Sequence, residues 1–572
     1  MTRTKLSVLA LAAALLQGGA QAASADEAIG AYLAARQASL DNDYKAAAEY
    51  FTKALAEDQS NPAILESAVV AHVSLGHFDQ AIPISRKIED DELLSQVAFM
   101  VLVADEVKRG AFDDLLDRFG RDHGIGSLAD GLIAAWAQLG KGDMSAALDR
   151  FDAVAEEQGL RSFAIYHKAL ALASVGDFEA AEQIFAGKSD GPMQRTRRGT
   201  VAWAEILSQL ERNDEAVALI DDAFGADLDP EISQLREMLA ADQRVPFSLI
   251  SGAGDGVAEV FYSLGRALIS DTSEDYVLLY SRIAEYLNPE HIDSVMMTAE
   301  LFESLGRYQL ATDTYKSVPR EHPSFTAAEM GRAEALRRAD RTDAAVEVLE
   351  QLSESHPELP AVHVSAGDLY RQLERFGDAA AAYERALDRY SDDAEEQWFV
   401  HYARAICYER LGEWEKAESD FRRALELNPE QPQVLNYLGY SLVEKQIKLD
   451  EALGMIERAV AKQPNSGYIV DSLGWVLYRL GRYDEAVDHM ERAAELMPVD
   501  PVVNDHLGDV LWAVGRKNEA EFQWKRALSF VDQEKPSPDI KPDRIRRKLE
   551  VGLDVVLEEE GAPPLEIVDD GG

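Results

Sequence analysis

Between Leu435 and Leu528 small and large apolar residues return three times in one order. The first pass reads Leu438-Gly439, Leu442, Ala452, Ile456, Ala459 and Pro464; the second reads Leu473-Gly474, Leu477, Ala486, Met490, Ala493 and Pro498. The third reads Leu507-Gly508, Leu511, Ala520, Trp524 and Ala527, and Gly474 and Gly508 lie 34 residues apart. Spacings of three and four within each half predict two amphipathic helices per pass. Gly and Ala fall where two helices approach closest, because a larger side chain there pushes the backbones apart. Leu, Met and Trp fill the space between neighbouring pairs. One pair cannot cover its own apolar face, so the pairs must stack into an α-solenoid with an inner groove.

The same period runs through most of the chain. Taking the small inner residue as marker, Ala35, Val69 and Val103 follow at steps of 34, with Asp43-Tyr44 and Gly76-His77-Phe78 as turns between helices. Gly140, Gly176-Asp177-Phe178 and Ala204 continue the series with small slips. This predicts a first arm over residues 26–226. Asp229-Pro230, Arg244-Val245-Pro246 and Gly252-Ala253-Gly254-Asp255-Gly256 then place helix breakers in close succession, and predict an irregular joint over 227–256. The marker resumes at Ala258 and passes through Ala299, Ala333, Gly367 and Ala405 into the three clear passes, a second arm over 257–530. About fourteen repeats are expected. Beyond Pro536-Ser537-Pro538 a helix carrying Ile545, Leu549, Leu553 and Val556 on one face should cap the last repeat over 531–557, before an acidic tail at 558–572.

Charge narrows the partners. The chain has 572 residues and 47% hydrophobic residues, and its 57 Lys+Arg against 103 Asp+Glu give a net charge of −46. Binding to nucleic acid needs clustered cations and is disfavoured. Arg3 and Lys5, the apolar run Leu6–Leu16 and Ala20-Gln21-Ala22 have the order of a secretory leader over residues 1–22. No later stretch is long enough to span a membrane, and Ala23 stands where a lipidated Cys would. The expectation is an exported, periplasmic protein with no stable membrane insertion after leader cleavage. Cys407, the single cysteine, falls inside a repeat helix and reads as a buried, unreactive residue.

Motifs for chemistry are missing. The sequence has no H-E-x-x-H, no paired-Cys metal framework, no G-x-S-x-G and no phosphate-binding G-x-x-x-x-G-K-[ST]. The expectation is a protein that binds and does not catalyse, with no catalytic residues, no metal and no cofactor. Residues three before, one after and four after each marker share one helical stripe and should face the groove. This picks Tyr402, Asn436, Tyr440, Asp471, Trp475, Tyr478, Asp505, Asp509 and Trp512 as the partner-binding residues. Aromatic rings beside amide and carboxylate acceptors suit an extended segment or short helix of a partner protein. The same rings can instead fill the inside of a tight superhelix.

The segments Asn436-Tyr437-Leu438-Gly439-Tyr440, Asp471-Ser472-Leu473-Gly474-Trp475 and Gly481-Arg482-Tyr483-Asp484-Glu485-Ala486 resemble tetratricopeptide repeats. That resemblance implies an all-α, right-handed superhelix and a protein-interaction scaffold. A leader followed by almost pure repeat also resembles bacterial envelope adaptors, which implies an envelope protease or cell-wall enzyme as partner. A second reading is a binder of envelope polysaccharide or peptidoglycan, since rings beside acceptors also suit sugars.

Overall fold

The computed structural model describes residues 29–565, apart from 122, 190, 192, 194, 226–227, 391–396, 533–539 and 563. The leader expected at 1–22 lies outside the described residues, as does the end of the acidic tail. Among the described residues there are thirty-one α-helices, counting residues 29–40, and no strand. Fourteen consecutive helix pairs, one unpaired helix (Pro230–Ala240) and a short terminal pair account for them all. The protein is an all-α solenoid, and the repeat count agrees with the period of the sequence.

The marker residues sit where the period places them. A Cβ on Gly474 would stand 2.7 Å from Met490 Cγ, and one on Gly439 2.7 Å from Ile456 Cγ1. In each pair the glycine of the inner helix therefore receives the large residue of the outer helix, sixteen or seventeen positions later in the chain. Ala35, Val69 and Val103, read from the weaker early repeats, are fully buried. Cys407 is buried and unpaired, and burial pushes its thiol up to about 11.

The chain divides into two compact units, Met1–Leu352 and Ser353–Gly572. The breakers at 227–256 do not mark this division. In the first unit the Ala253–Leu268 helix packs against Ser127–Gly140, and the next helix, Glu274–Leu287, packs against Pro62–Ser74 and Gln96–Lys108. One apolar core thus runs from Leu65 to Leu287. Gly256 explains the turn back. A Cβ there would collide with the indole of Trp136, a fully buried ring, so the glycine lets one inner helix lie across another. The Phe78 and Tyr286 rings stack at 4.0 Å in the same contact zone. The non-helical stretch before Ala253 is tied down: Val245 N–H donates to Ser208 Oγ (2.9 Å), and Ser248 N–H donates to Glu205 (2.8 Å). Of the three glycines there only Gly256 serves close packing; a Cβ on Gly252 or Gly254 would meet nothing within 4 Å.

The end of the second unit also departs from expectation. Two short helices, Pro542–Val551 and Leu553–Glu559, replace the single capping helix. Gly552 separates them with φ 88°, a left-handed value that glycine tolerates, and the Trp512 ring lies 2.6 Å from where its Cβ would be. Ile545, Leu553 and Val556 are buried as the apolar face required.

Candidate functional site

In the second unit the inner helices are Pro360–Gln372, Gln397–Arg410, Pro432–Glu444, Gly467–Arg479 and Pro501–Ala513. Four of them start with Pro in the first turn or follow a polar capping residue. Pro432 and Pro501 need no N–H at that position, and Asp500 accepts from the N–H groups of Val502 and Val503. Each inner helix therefore begins in register with the next, and equivalent positions line up across the groove.

Most of the expected groove residues are engaged with one another. Trp475 is buried, its Nε1 donates to Glu444 Oε1 (2.7 Å) on the preceding inner helix, and its ring stacks on His506 at 4.0 Å on the following one. Tyr478 is buried beside the same indole, with ring centroids 4.9 Å apart. Asp471 is buried and pairs with His506 Nδ1 at 2.9 Å. Burial alone would lower the His506 pKa, but Asp471, with Asp505 and Asp509 nearby, outweighs it and leaves the imidazole raised. Asp505 accepts from Lys548 Nζ at 2.8 Å, and Asp509 accepts from Lys548, from Arg544 at 3.3 Å and from Trp524 Nε1 at 2.9 Å. The Lys548 side chain is wholly buried by this arrangement. Trp512 Nε1 donates to Asp554 at 2.9 Å. From Asp471 onward, then, the stripe is a ladder of polar bonds between successive inner helices, closed by the terminal pair.

The stripe is more open toward the middle of the unit. Tyr402 and Tyr440 are half-buried, and Tyr402 lies edge-on to Tyr437 at 6.0 Å. Burial raises the Tyr402 phenol. Asn436 is buried, and its Oδ1 accepts no hydrogen bond. One turn earlier on the same helix, Gln433 Oε1 is in the same state. Phe399 and Tyr468 occupy the Gln433 position on the helices before and after, at steps of 34 and 35 residues, and they are 38% and 49% exposed. Large apolar side chains left this exposed are uncommon among the inner helices here. The sequence stripe missed all three positions because it began three residues before the marker, whereas these lie six before; the 34-residue step alone would have found them. His506 was missed too, since its role appears only when Asp471 and Trp475 stand on either side of it.

Among the described residues no cluster of His, Cys, Asp and Glu could hold a metal ion, and no helix is long and apolar enough to cross a membrane.

Family models named Tetratricopeptide repeat match residues 330–394, 398–431 and 470–498. A TPR repeat-containing protein of Pseudomonas aeruginosa, PA4667, is 25% identical over 173 residues, 30% of this chain and 28% of that protein. A lipoprotein NlpI homolog of Haemophilus influenzae is 34% identical over 90 residues, 16% of this chain and 28% of that protein. The chain thus spans less than a third of either relative's length. The crystal structure of the APC/C hetero-tetramer Cut9-Hcn1 matches 91% of this chain and 95% of its own, at 15% identity and a TM-score of 0.38. With the period of the sequence and the marker glycines under their large partners, the family-model matches show that the chain carries tetratricopeptide repeats.

Proposed function

We propose that the chain is a scaffold that holds partner proteins by extended segments laid along the inner helices of its second unit, between Phe399 and Tyr468. Tetratricopeptide repeats are protein-interaction scaffolds and generally non-catalytic, so the question is where a partner lies. The observation that carries this reading is the pair of exposed rings, Phe399 and Tyr468, one repeat either side of Gln433 and Asn436. Rings supply contact area at small entropic cost. The two carboxamide oxygens carry unmade hydrogen bonds in the free groove, and a turn of either side chain offers them to a peptide N–H. Asp471, Asp505 and Asp509 are occupied by His506, Lys548 and Arg544, and hold the groove together instead of gripping a ligand.

The cellular setting belongs to the same proposal. The leader-like start supports a periplasmic setting with an envelope protease or a cell-wall enzyme as the partner class, and the likeness of a 90-residue stretch to a lipoprotein speaks for the same reading. The test is fluorescence anisotropy of the purified protein against a peptide array and against peptidoglycan fragments. Peptides should bind, and Phe399→Ala with Tyr468→Ala should weaken them by about 2 kcal/mol, the scale of an interface hot spot, at unchanged melting temperature. Binding of the glycan fragments alone, or peptide binding indifferent to both substitutions, would sink the reading.

A further inference from the structure

A cavity of about 520 Å³ opens in the first unit between the helices Arg161–Ser174, Arg197–Gln209 and Ala253–Leu268. Its floor is a closed set of ion pairs. Glu259, 1% exposed, accepts from Tyr166 Oη at 2.8 Å, from Arg198 Nε at 3.0 Å and from His291 Nε2 at 3.1 Å, while Arg198 also pairs with Asp293. Burial raises a carboxyl, but Arg198 and His291 outweigh it and hold Glu259 below the usual carboxylate range. Arg197 is taken up by Asp229, Glu231 and Asp293. The floor is therefore a fixed polar plate whose charges are already answered, and it offers a newcomer rigidity more than reactivity.

What remains to be used lies above the floor. The walls are Phe163, Met193 and the rings of Tyr166 and Tyr262, and Tyr262 is itself steadied by the Arg198 guanidinium 5.4 Å from its centroid. On the rim stand Ser162, Arg266 and Ala267, all exposed. Arg266 has no ion-pair partner among the described residues. Its charge is felt by Tyr262 and Glu300, but no carboxylate closes on it, and on a chain of net charge −46 such a guanidinium on the rim of this cavity is a cation open to a further partner. Long-range repulsion turns most anions away from such a surface, so one that settles here does so through this residue. The volume is within the range that takes several connected side chains or a small ligand.

We propose that this cavity receives a second peptide element, a bulky apolar side chain, aromatic by preference, followed by Asp or Glu. The ring enters between Phe163, Tyr166 and Tyr262, and the carboxylate meets Arg266. This inference rests on the scaffold reading and adds to it a docking point of different chemistry, made of different residues from the Phe399–Tyr468 stripe.

The test uses the full chain and labelled peptides of one length that differ only in a central Phe-Asp, Phe-Lys or Ala-Asp. Saturable anisotropy is expected with Phe-Asp, at least about tenfold tighter than with the other two. Arg266→Glu should reverse the preference between Asp and Lys, and Ala267→Trp should abolish binding; both sites are exposed, so neither change disturbs the core. Equal affinity for the three peptides, or Phe-Asp binding untouched by Ala267→Trp, overturns the proposal. So does displacement by 3-phenylpropionate at the same concentration as peptide, which would mark a site for small acids. Phe399→Ala with Tyr468→Ala serves as the separating control. If array peptides still bind through those rings while Phe-Asp does not bind, this inference fails alone; if neither site binds any peptide, the scaffold reading fails with it.

Discussion

The two units treat the same inner surface in opposite ways. In Met1–Leu352 the chain fills its own groove: the Ala253–Leu268 and Glu274–Leu287 helices lie against inner helices that precede them by more than a hundred residues, and a single core forms. In Ser353–Gly572 the helices stack on neighbours only, and closure comes locally through polar bonds from one inner helix to the next. The difference teaches that a stripe of groove positions does not by itself make a binding surface. It becomes one only where neither the next repeat nor a distant part of the chain has already claimed it.

The comparison can be broken at its most costly point first. Lys548→Ala should leave the buried Asp509 carboxylate with Arg544 alone and the half-buried Asp505 carboxylate without its cation, and cost about 3 kcal/mol, the lower end of what removal of one member of a buried ion pair costs. Hydrogen exchange should then rise over the last two repeats and stay unchanged over 65–287; uniform loosening of the whole chain would contradict local closure. Trp475→Ala comes next, at about 3 kcal/mol, since it removes a buried indole together with its bond to Glu444. It should lower the melting temperature and spare peptide binding at Phe399 and Tyr468. Binding lost at unchanged stability would restore Trp475 to the role of an anchor.

Gly256→Leu probes the filled groove of the first unit and should cost about 1–3 kcal/mol through the clash with Trp136. The loosening should appear on both sides of the contact, at Ser127–Gly140 as well as at Ala253–Leu268; confinement to residues near 256 would mean that the two helices do not depend on each other. The smallest expected effect is a pH response of opposite sign in the two units. Burial lowers the His167 pKa to about 4, and its Nδ1 accepts from Trp136 Nε1 at 3.2 Å, so it is held neutral. Below about 6.5 the unfolded chain binds a proton that folded His167 refuses, and stability is lost as pH falls toward 4. His506 is raised, so its contribution is present below about 6.5 and is lost as pH climbs through its folded value. Between pH 7.5 and 5.5, exchange corrected for intrinsic rates should speed up around His167 and slow around His506. The same direction at both sites would show that one of these assignments is mistaken.

Much of the fold was legible because a repeat writes each helix contact many times. Gly439 over Ile456 and Gly474 over Met490 lie sixteen or seventeen residues apart, within reach of a periodic reading. Trp136 over Gly256 spans 120 residues and occurs once, so a periodic reading cannot see that this one glycine of the cluster is a packed contact. The same limit applied to the candidate groove. The stripe from Tyr402 to Trp512 lies on inner helices, but His506 stands off the stripe, two residues before its marker, and Lys548 reaches back from the terminal pair, so no local pattern shows that they use up its acids. Arg198 and Glu259, 61 residues apart, escaped for the same reason.

The ladder between inner helices has a mechanical side. A superhelix stretched along its axis must draw its inner helices apart, and from Pro432–Glu444 onward the steps are held by short polar bonds: Glu444 with Trp475, Asp471 with His506, Asp509 with Lys548. These three bonds act as catches on a spring. Tension passed between two attached proteins would meet them one after another, the last being the terminal pair, so the pitch of the coil should hold until a catch gives way and then lengthen by one repeat at a time.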